Sequence, residues 1–177
     1  MSNLWPFIYT RISHDLSGLA GSVFNGTELL AEDTSPDVVE LLQTAAGQLM
    51  ARLQFFRQIF GIPNKLNDDK TAAYLSTLSV PVQLDGRCAD ALDGVLCMAL
   101  TDALPKGGCI HVNEQVISVE NTPIREGWDL KGMLEKGEGE PTPQTAVALY
   151  AHELAQQQNT RLAVNITGTS VYIQKKR

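Results

Sequence analysis

Apolar residues recur at helical spacing through the first sixty positions. At 100° per residue, Ile12, Leu16, Leu19, Val23, Thr27 and Leu30 fall on one stripe. His14, Gly18, Gly21, Asn25, Glu28 and Glu32 fall on the opposite face. The pattern predicts a helix starting near Pro6, a residue tolerated in a first turn, and ending by about Asp33. Ser35 as a cap, Pro36 at the first helical position and Asp37 at the positive end of the dipole announce a second helix. Its stripe is Val38, Leu41, Leu42, Ala45, Leu49, Leu53, Phe56 and Phe60, widened by Phe55, and Gly61 stops it. The turn between the two is short, so they are expected to fold back antiparallel.

Past residue 61 the pattern is mixed. Val80–Leu84 reads as a strand, Ala89–Leu104 as a helix apolar on most sides, and Gly107-Gly108 as a turn. Cys109–Asn113 and Val116–Glu120 read as a hairpin, and Asn121–Pro143 as irregular with one helical turn near Leu130–Leu134. Thr145–Gln157 follows as a helix, then a last hairpin, Arg161–Thr167 and Thr169–Gln174, turning at Gly168. The expected class is α+β: an N-terminal helical hairpin (1–62), then an α/β sandwich (63–177) with helices on one face of a mostly antiparallel sheet.

Two long helices alone cannot bury both apolar stripes. Either two hairpins associate into a four-helix bundle, which consecutive long helices favour, or the C-terminal half covers the stripe. Arg52 lies inside the second stripe and requires a partner or a route to solvent.

Composition narrows the function classes. With 177 residues, 44% hydrophobic and 19% charged, the chain can fill a core without disulfides or metals. A net charge of −6 argues against a general nucleic-acid binder and against an anionic membrane surface. No apolar run spans a bilayer, and no signal-peptide pattern opens the chain. Three cysteines without CxxC spacing read as reduced thiols, so a cytoplasmic location is expected.

His14 is the sharpest chemical candidate. It points away from the apolar stripe, so packing does not account for it. Imidazole titrates near neutrality and is a good nucleophile. Asp15 beside it can orient one ring nitrogen and leave the other free. A solvated histidine next to an aspartate that favours the helix dipole fits the same residues. Gly18 and Gly21 follow on the His14 face, each costing about 1 kcal/mol of helix stability relative to alanine. They suit a face that another protein approaches closely; a helix that packs or bends there is the equal alternative. Cys109 and His111 share a strand face, but no further ligands stand at suitable spacing for a metal. Gly137-Glu138-Gly139 resembles part of a nucleotide loop, a pattern common in turns, and His152 reads as an ordinary surface residue.

Ser13-His14-Asp15-Leu16 resembles the H-box of histidine kinases. Asn25-Gly26-Thr27-Glu28-Leu29-Leu30, the run Arg52–Gly61 and Leu104-Pro105-Lys106-Gly107-Gly108 extend the likeness along nearly the whole chain. Together they resemble the ChpT-type histidine phosphotransferases of alphaproteobacterial phosphorelays. The resemblance implies a homodimeric four-helix bundle and a second domain like a histidine-kinase ATPase domain that has lost ATP binding. It implies phosphoryl relay through His14, with Asp15 as its neighbour, between a hybrid kinase's receiver domain and downstream response regulators. Arg11, Ser17, Gly18, Gly21, Ser22 and Asn25 would form the docking surface, with Arg11 either steadying phosphate or simply solvated. This chain would bind no cofactor, and Mg²⁺ would arrive on the partner receiver. No asparagine stands within Ala89–Leu104, and 121–143 contains no Asp-x-Gly-x-Gly run, in keeping with lost ATP binding. Leu19 replaces the proline that the H-box often carries, which implies a less bent helix. An ATP-using kinase core and a non-catalytic dimeric adaptor are the rival expectations.

Overall fold

The computed structural model describes residues 3–61 and 68–176. Among these it is α+β, with six helices and one five-stranded mixed sheet. The helices are α1 (Trp5–Glu32), α2 (Pro36–Phe60), α3 (Asp68–Ser76), α4 (Ala91–Ala103), α5 (Leu130–Lys136) and α6 (Ala146–Gln157). The strands are β1 (Val82–Gly86), β2 (Gly108–Val112), β3 (Val116–Val119), β4 (Arg161–Thr167) and β5 (Ser170–Lys176). The expected boundary at 62/63 falls outside the described residues.

Both long helices form where the 3.6-residue period places them. Opposite Gly26 lies Leu42, and the Arg52 side chain reaches the Asp15 carbonyl, so α1 and α2 run antiparallel. A β-carbon on Gly26 would stand 3.1 Å from Leu42 Cδ1, so the two helices approach closely at this glycine. Ser35 does not cap α2 with its side chain. Asp33 accepts from the Ser35 N–H and hydroxyl instead, at 2.8 and 3.1 Å, and shapes the turn.

The apolar stripe of α2 divides. At its C-terminal end Phe55, Phe56 and Ile59 are buried, whereas Leu41, Met50 and Leu53 remain exposed. Phe55 stacks on Tyr74 of α3 with centroids 4.0 Å apart and planes within 6°. Trp5, Phe60 and Tyr150 pack together, which ties the start of α1 and the end of α2 to α6. The rest of the chain therefore covers one end of the helical pair; beyond it most stripe residues are half-buried, Ala45 is buried, and Leu41 and Leu53 are exposed.

Arg52 finds its partners beside that covered end. It donates to Thr77 Oγ1 at 3.0 Å, to the Thr77 carbonyl at 2.8 Å and to the Asp15 carbonyl at 3.3 Å. Sequence pattern did not reveal α3, which is too short to show a period; Tyr74 and Leu75 hold it by burial against α2 and its neighbours.

The sheet order is β1-β2-β3-β5-β4, parallel only between β1 and β2. Strand β1 begins two residues later than expected, because Pro81 has no N–H to give; its carbonyl accepts the Gly108 N–H at 3.0 Å. At the other end Gly86 (φ 106°) touches the β2 backbone so closely that a side chain would strike the Val112 carbonyl. Helix α4 starts at Ala91, capped by Asp90 and closed by Asp93, which accepts the Ala89 N–H at 2.8 Å. Asp93 also pairs with Lys175 of β5, and both are buried. The free edge of β4 is covered by α5, where the Val164 N–H donates to Glu135 Oε1 at 2.6 Å. His152 is half-buried rather than an ordinary surface residue: its Nδ1 donates to the Leu134 carbonyl at 3.0 Å, and Gly137, the left-handed cap of α5, sits against its ring. No helix among the described residues is long and apolar enough to cross a membrane.

Candidate functional site

Consecutive residues on a helix point 100° apart, and that rotation separates His14 from Asp15. Leu4 and Ile8 fix the phase of α1 by burial, which turns Asp15 inward and His14 outward. The His14 side chain is 88% exposed and that of Asp15 only 11%. His14 Nδ1 stands 3.7 Å from Asp15 Oδ1, beyond hydrogen-bond length but within reach of a small rotation. Nε2 is then the ring nitrogen left free.

A buried polar cluster lies beneath the pair. Arg11, one turn before Asp15, places Nε 3.3 Å from Asp15 Oδ2 and an η-nitrogen 2.6 Å from Asp102 Oδ1. Asp102 is the penultimate residue of α4, and its side chain is 10% exposed. Tyr74 completes the cluster, fully buried; its hydroxyl interacts electrostatically with Arg11, but no hydrogen bond of ordinary geometry joins them. Three buried polar atoms here, Arg11 Nε, Tyr74 Oη and Asp102 Oδ2, lack a direct hydrogen-bond partner among the described residues.

The electrostatics follow from burial and from two carboxylates sharing one guanidinium. Burial raises the Asp102 carboxyl, Arg11 pulls it back, the Asp15 charge raises it again and Arg125 lowers it, leaving it near 6. For Arg11, burial works against the charge, but Asp102 and Asp15 outweigh it and hold the guanidinium above its usual range. Burial first, then Asp102 and Asp15, pushes the Tyr74 hydroxyl upward.

The other expected surface residues are distributed as follows. Ser17, Gly18, Gly21, Ser22 and Asn25 are exposed along α1. A β-carbon on Gly18 or Gly21 would meet no atom within 4 Å outside its own helix turn. Ser22 donates to the Gly18 carbonyl at 3.1 Å. Arg11 is neither solvated nor free at the surface, because its guanidinium is committed to the two carboxylates. Leu19 is half-buried. His111 Nδ1 pairs with Asp85 at 2.9 Å across β1 and β2. Gly137 caps α5, so the Gly-Glu-Gly run belongs to a helix end.

Cavities of about 450 and 570 Å³ lie by α6, one against Lys136 and His152, the other between Trp128 and Thr145. Neither is lined by a residue of α1 or α2. His14 itself stands exposed on the outer face of α1.

Asp102 and Tyr74 were not anticipated from sequence. One signal was available: Asp102 puts a negative charge in the last turn of a mostly apolar helix, where the dipole disfavours it. Such a residue needs a cation from elsewhere in the fold, and Arg11 is that cation.

No protein-family model and no curated protein matches the chain at a significant level. Among solved structures, one described as a bacterial phosphotransferase matches with a TM-score of 0.72 and 22% identity, over 99% of this chain and 98% of that one. At that identity the likeness establishes a common fold along the full length.

The elevated Asp102 carboxyl has a testable sign. Its pKa is about 6 in the fold against an ordinary 3.8, so the native state holds the proton more tightly. The stability this contributes is complete below about pH 4 and lost as pH rises through 6. Between pH 4 and 7 the stability of Asp102→Asn relative to wild type should therefore move in the variant's favour by about 2–3 kcal/mol, read by urea unfolding. A pH-independent difference would contradict the assignment.

Proposed function

We propose that this protein is a histidine phosphotransferase of the ChpT type. It relays a phosphoryl group between aspartates of receiver domains through phosphohistidine on His14, without ATP. The observation that carries the reading is an outward histidine paired with an inward, cation-held Asp15 on an open helix face. In the first step His14 Nε2 attacks the phosphorus of a receiver's aspartyl phosphate. The P–N bond forms as the P–O bond of the mixed anhydride breaks, and the receiver's carboxylate leaves. The proton on Nδ1 is steadied by Asp15 as charge develops on the ring. The reverse step delivers the phosphoryl group to a second receiver. Donor and acceptor are the receiver of a hybrid histidine kinase and downstream response regulators, each carrying its own Mg²⁺, and the setting is cytoplasmic.

Within this proposal residues 1–62 form the dimerisation and phosphotransfer hairpin. Residues 63–177 form a degenerate ATPase-like domain; its α4 lacks the metal-holding asparagine of working kinases. Ser17, Gly18, Gly21, Ser22 and Asn25 are the docking surface, and Arg11 acts on it from below. The exposed Leu41, Met50, Leu53 and Phe24 support a second copy covering the hairpins.

Incubation with a ³²P-labelled, phosphorylated receiver tests the transfer. Wild-type protein should take acid-labile label, and His14→Ala none. Equal labelling of the variant, or no labelling of the wild type, would remove the assignment.

Gly18→Ala separates docking from folding. Nothing crowds the new methyl group, so the helix should gain about 1 kcal/mol. Transfer should weaken through a raised KM for the receiver; unchanged transfer would remove Gly18 from the docking surface.

For the dimer, light scattering at micromolar concentration should give twice the 19.3 kDa chain mass. A monomer would end the four-helix bundle.

A further inference from the structure

Asp102 lies 87 residues after Asp15 in sequence, yet one guanidinium touches both carboxylates. Arg11 approaches Asp102 at 2.6 Å and Asp15 at 3.3 Å, so its closer partner is the carboxylate of α4. We infer that Asp102 is a positioning residue for the His14–Asp15 pair, acting through Arg11. The inference rests on the phosphotransfer reading for its consequence, but not for its geometry.

Charge counting gives the reason. Two carboxylates against one guanidinium leave one negative charge in the cluster. Among the described residues the other cations do not cancel it at Asp15: Arg52 donates to Thr77 and to the Asp15 carbonyl oxygen, while Arg125 is felt at Asp102. Tyr74, the other ionisable group against the cluster, is held neutral by its burial and the neighbouring carboxylates. With Asp102 drawing on Arg11, Asp15 keeps one oxygen, Oδ1, and a share of net negative charge toward His14 Nδ1. That charge favours the tautomer with hydrogen on Nδ1 and the lone pair on Nε2, the nitrogen that faces a docked partner. Without Asp102, Arg11 and Asp15 would neutralise each other, and the ring would lose its bias.

This arrangement is maintained against stability. A carboxyl elevated by burial disfavours the fold at neutral pH, and three atoms of the cluster lack direct hydrogen-bond partners among the described residues. An ion pair that only tied α1 to α4 would be replaceable by packed apolar residues. A pair that sets the charge beside a reactive histidine would not.

Two measurements on Asp102→Asn and Asp102→Glu test the inference, after far-UV circular dichroism confirms the fold. Should Asp102→Asn not fold, Asp102→Ser takes its place. Imidazole ¹⁵N shifts report the His14 tautomer without any receiver: the Nδ1–H form should be enriched in wild type and in Asp102→Glu, and reduced in Asp102→Asn. Transfer from a phosphorylated receiver should fall in kcat about tenfold or more in Asp102→Asn, the scale of a misplaced proton-handling group, with KM nearly unchanged and partial recovery in Asp102→Glu. An unchanged tautomer and kcat in Asp102→Asn would reduce Asp102 to a structural tie between helices and overturn the inference. A wild-type protein that takes no phosphate on His14 would overturn the transfer reading instead, and the tautomer comparison would still decide whether Asp102 positions the ring.

Discussion

One guanidinium between two buried carboxylates sets the rotation of α1. Arg11 holds Asp15 on its own helix and Asp102 on α4, so the first helix cannot turn about its axis without breaking a buried charged contact. Arg52 fixes the same turn from α2 through the Asp15 carbonyl. The aromatic group of Trp5, Phe60 and Tyr150 anchors the start of the helix. With the rotation fixed, the single residue step from Asp15 to His14 places one side chain inside and the next in solvent.

The glycines of α1 serve two different purposes. Gly26 is a packing residue, because Leu42 of α2 lies where its β-carbon would reach. Gly18 and Gly21 face open space, and nothing among the described residues calls for their small size. Each lowers helix propensity by about 1 kcal/mol relative to alanine. In the proposed phosphotransfer role their small size leaves room for an approaching receiver. The exposed apolar residues of α2, Leu41, Met50 and Leu53, pose a parallel question.

The long helices were legible because their apolar period is sustained over many turns, and the outward placement of His14 because it stands off that period. Helix α3 was not legible: nine residues carry too little pattern, and its conformation depends on the stacking of Tyr74 on Phe55. The start of β1 was misplaced by two residues because hydrophobicity at Val80 outweighed the missing N–H of Pro81. Ser35 stands at the cap position as expected, but its side chain makes no capping bond because its hydroxyl is held by Asp33, two residues earlier. Least legible was the Arg11–Asp102 contact, a long-range pairing that no local spacing encodes. Its trace was the misfit of an aspartate at the negative end of a buried helix.

The central claim is that His14 carries a phosphoryl group on the nitrogen turned away from Asp15. The direct measurement is ³¹P NMR of protein labelled with ¹⁵N-histidine, after exposure to a phosphorylated receiver. A phosphoramidate resonance coupled to Nε2 of His14 is the predicted result. Phosphate on another residue, or no resonance from a protein that binds the receiver, would contradict the account.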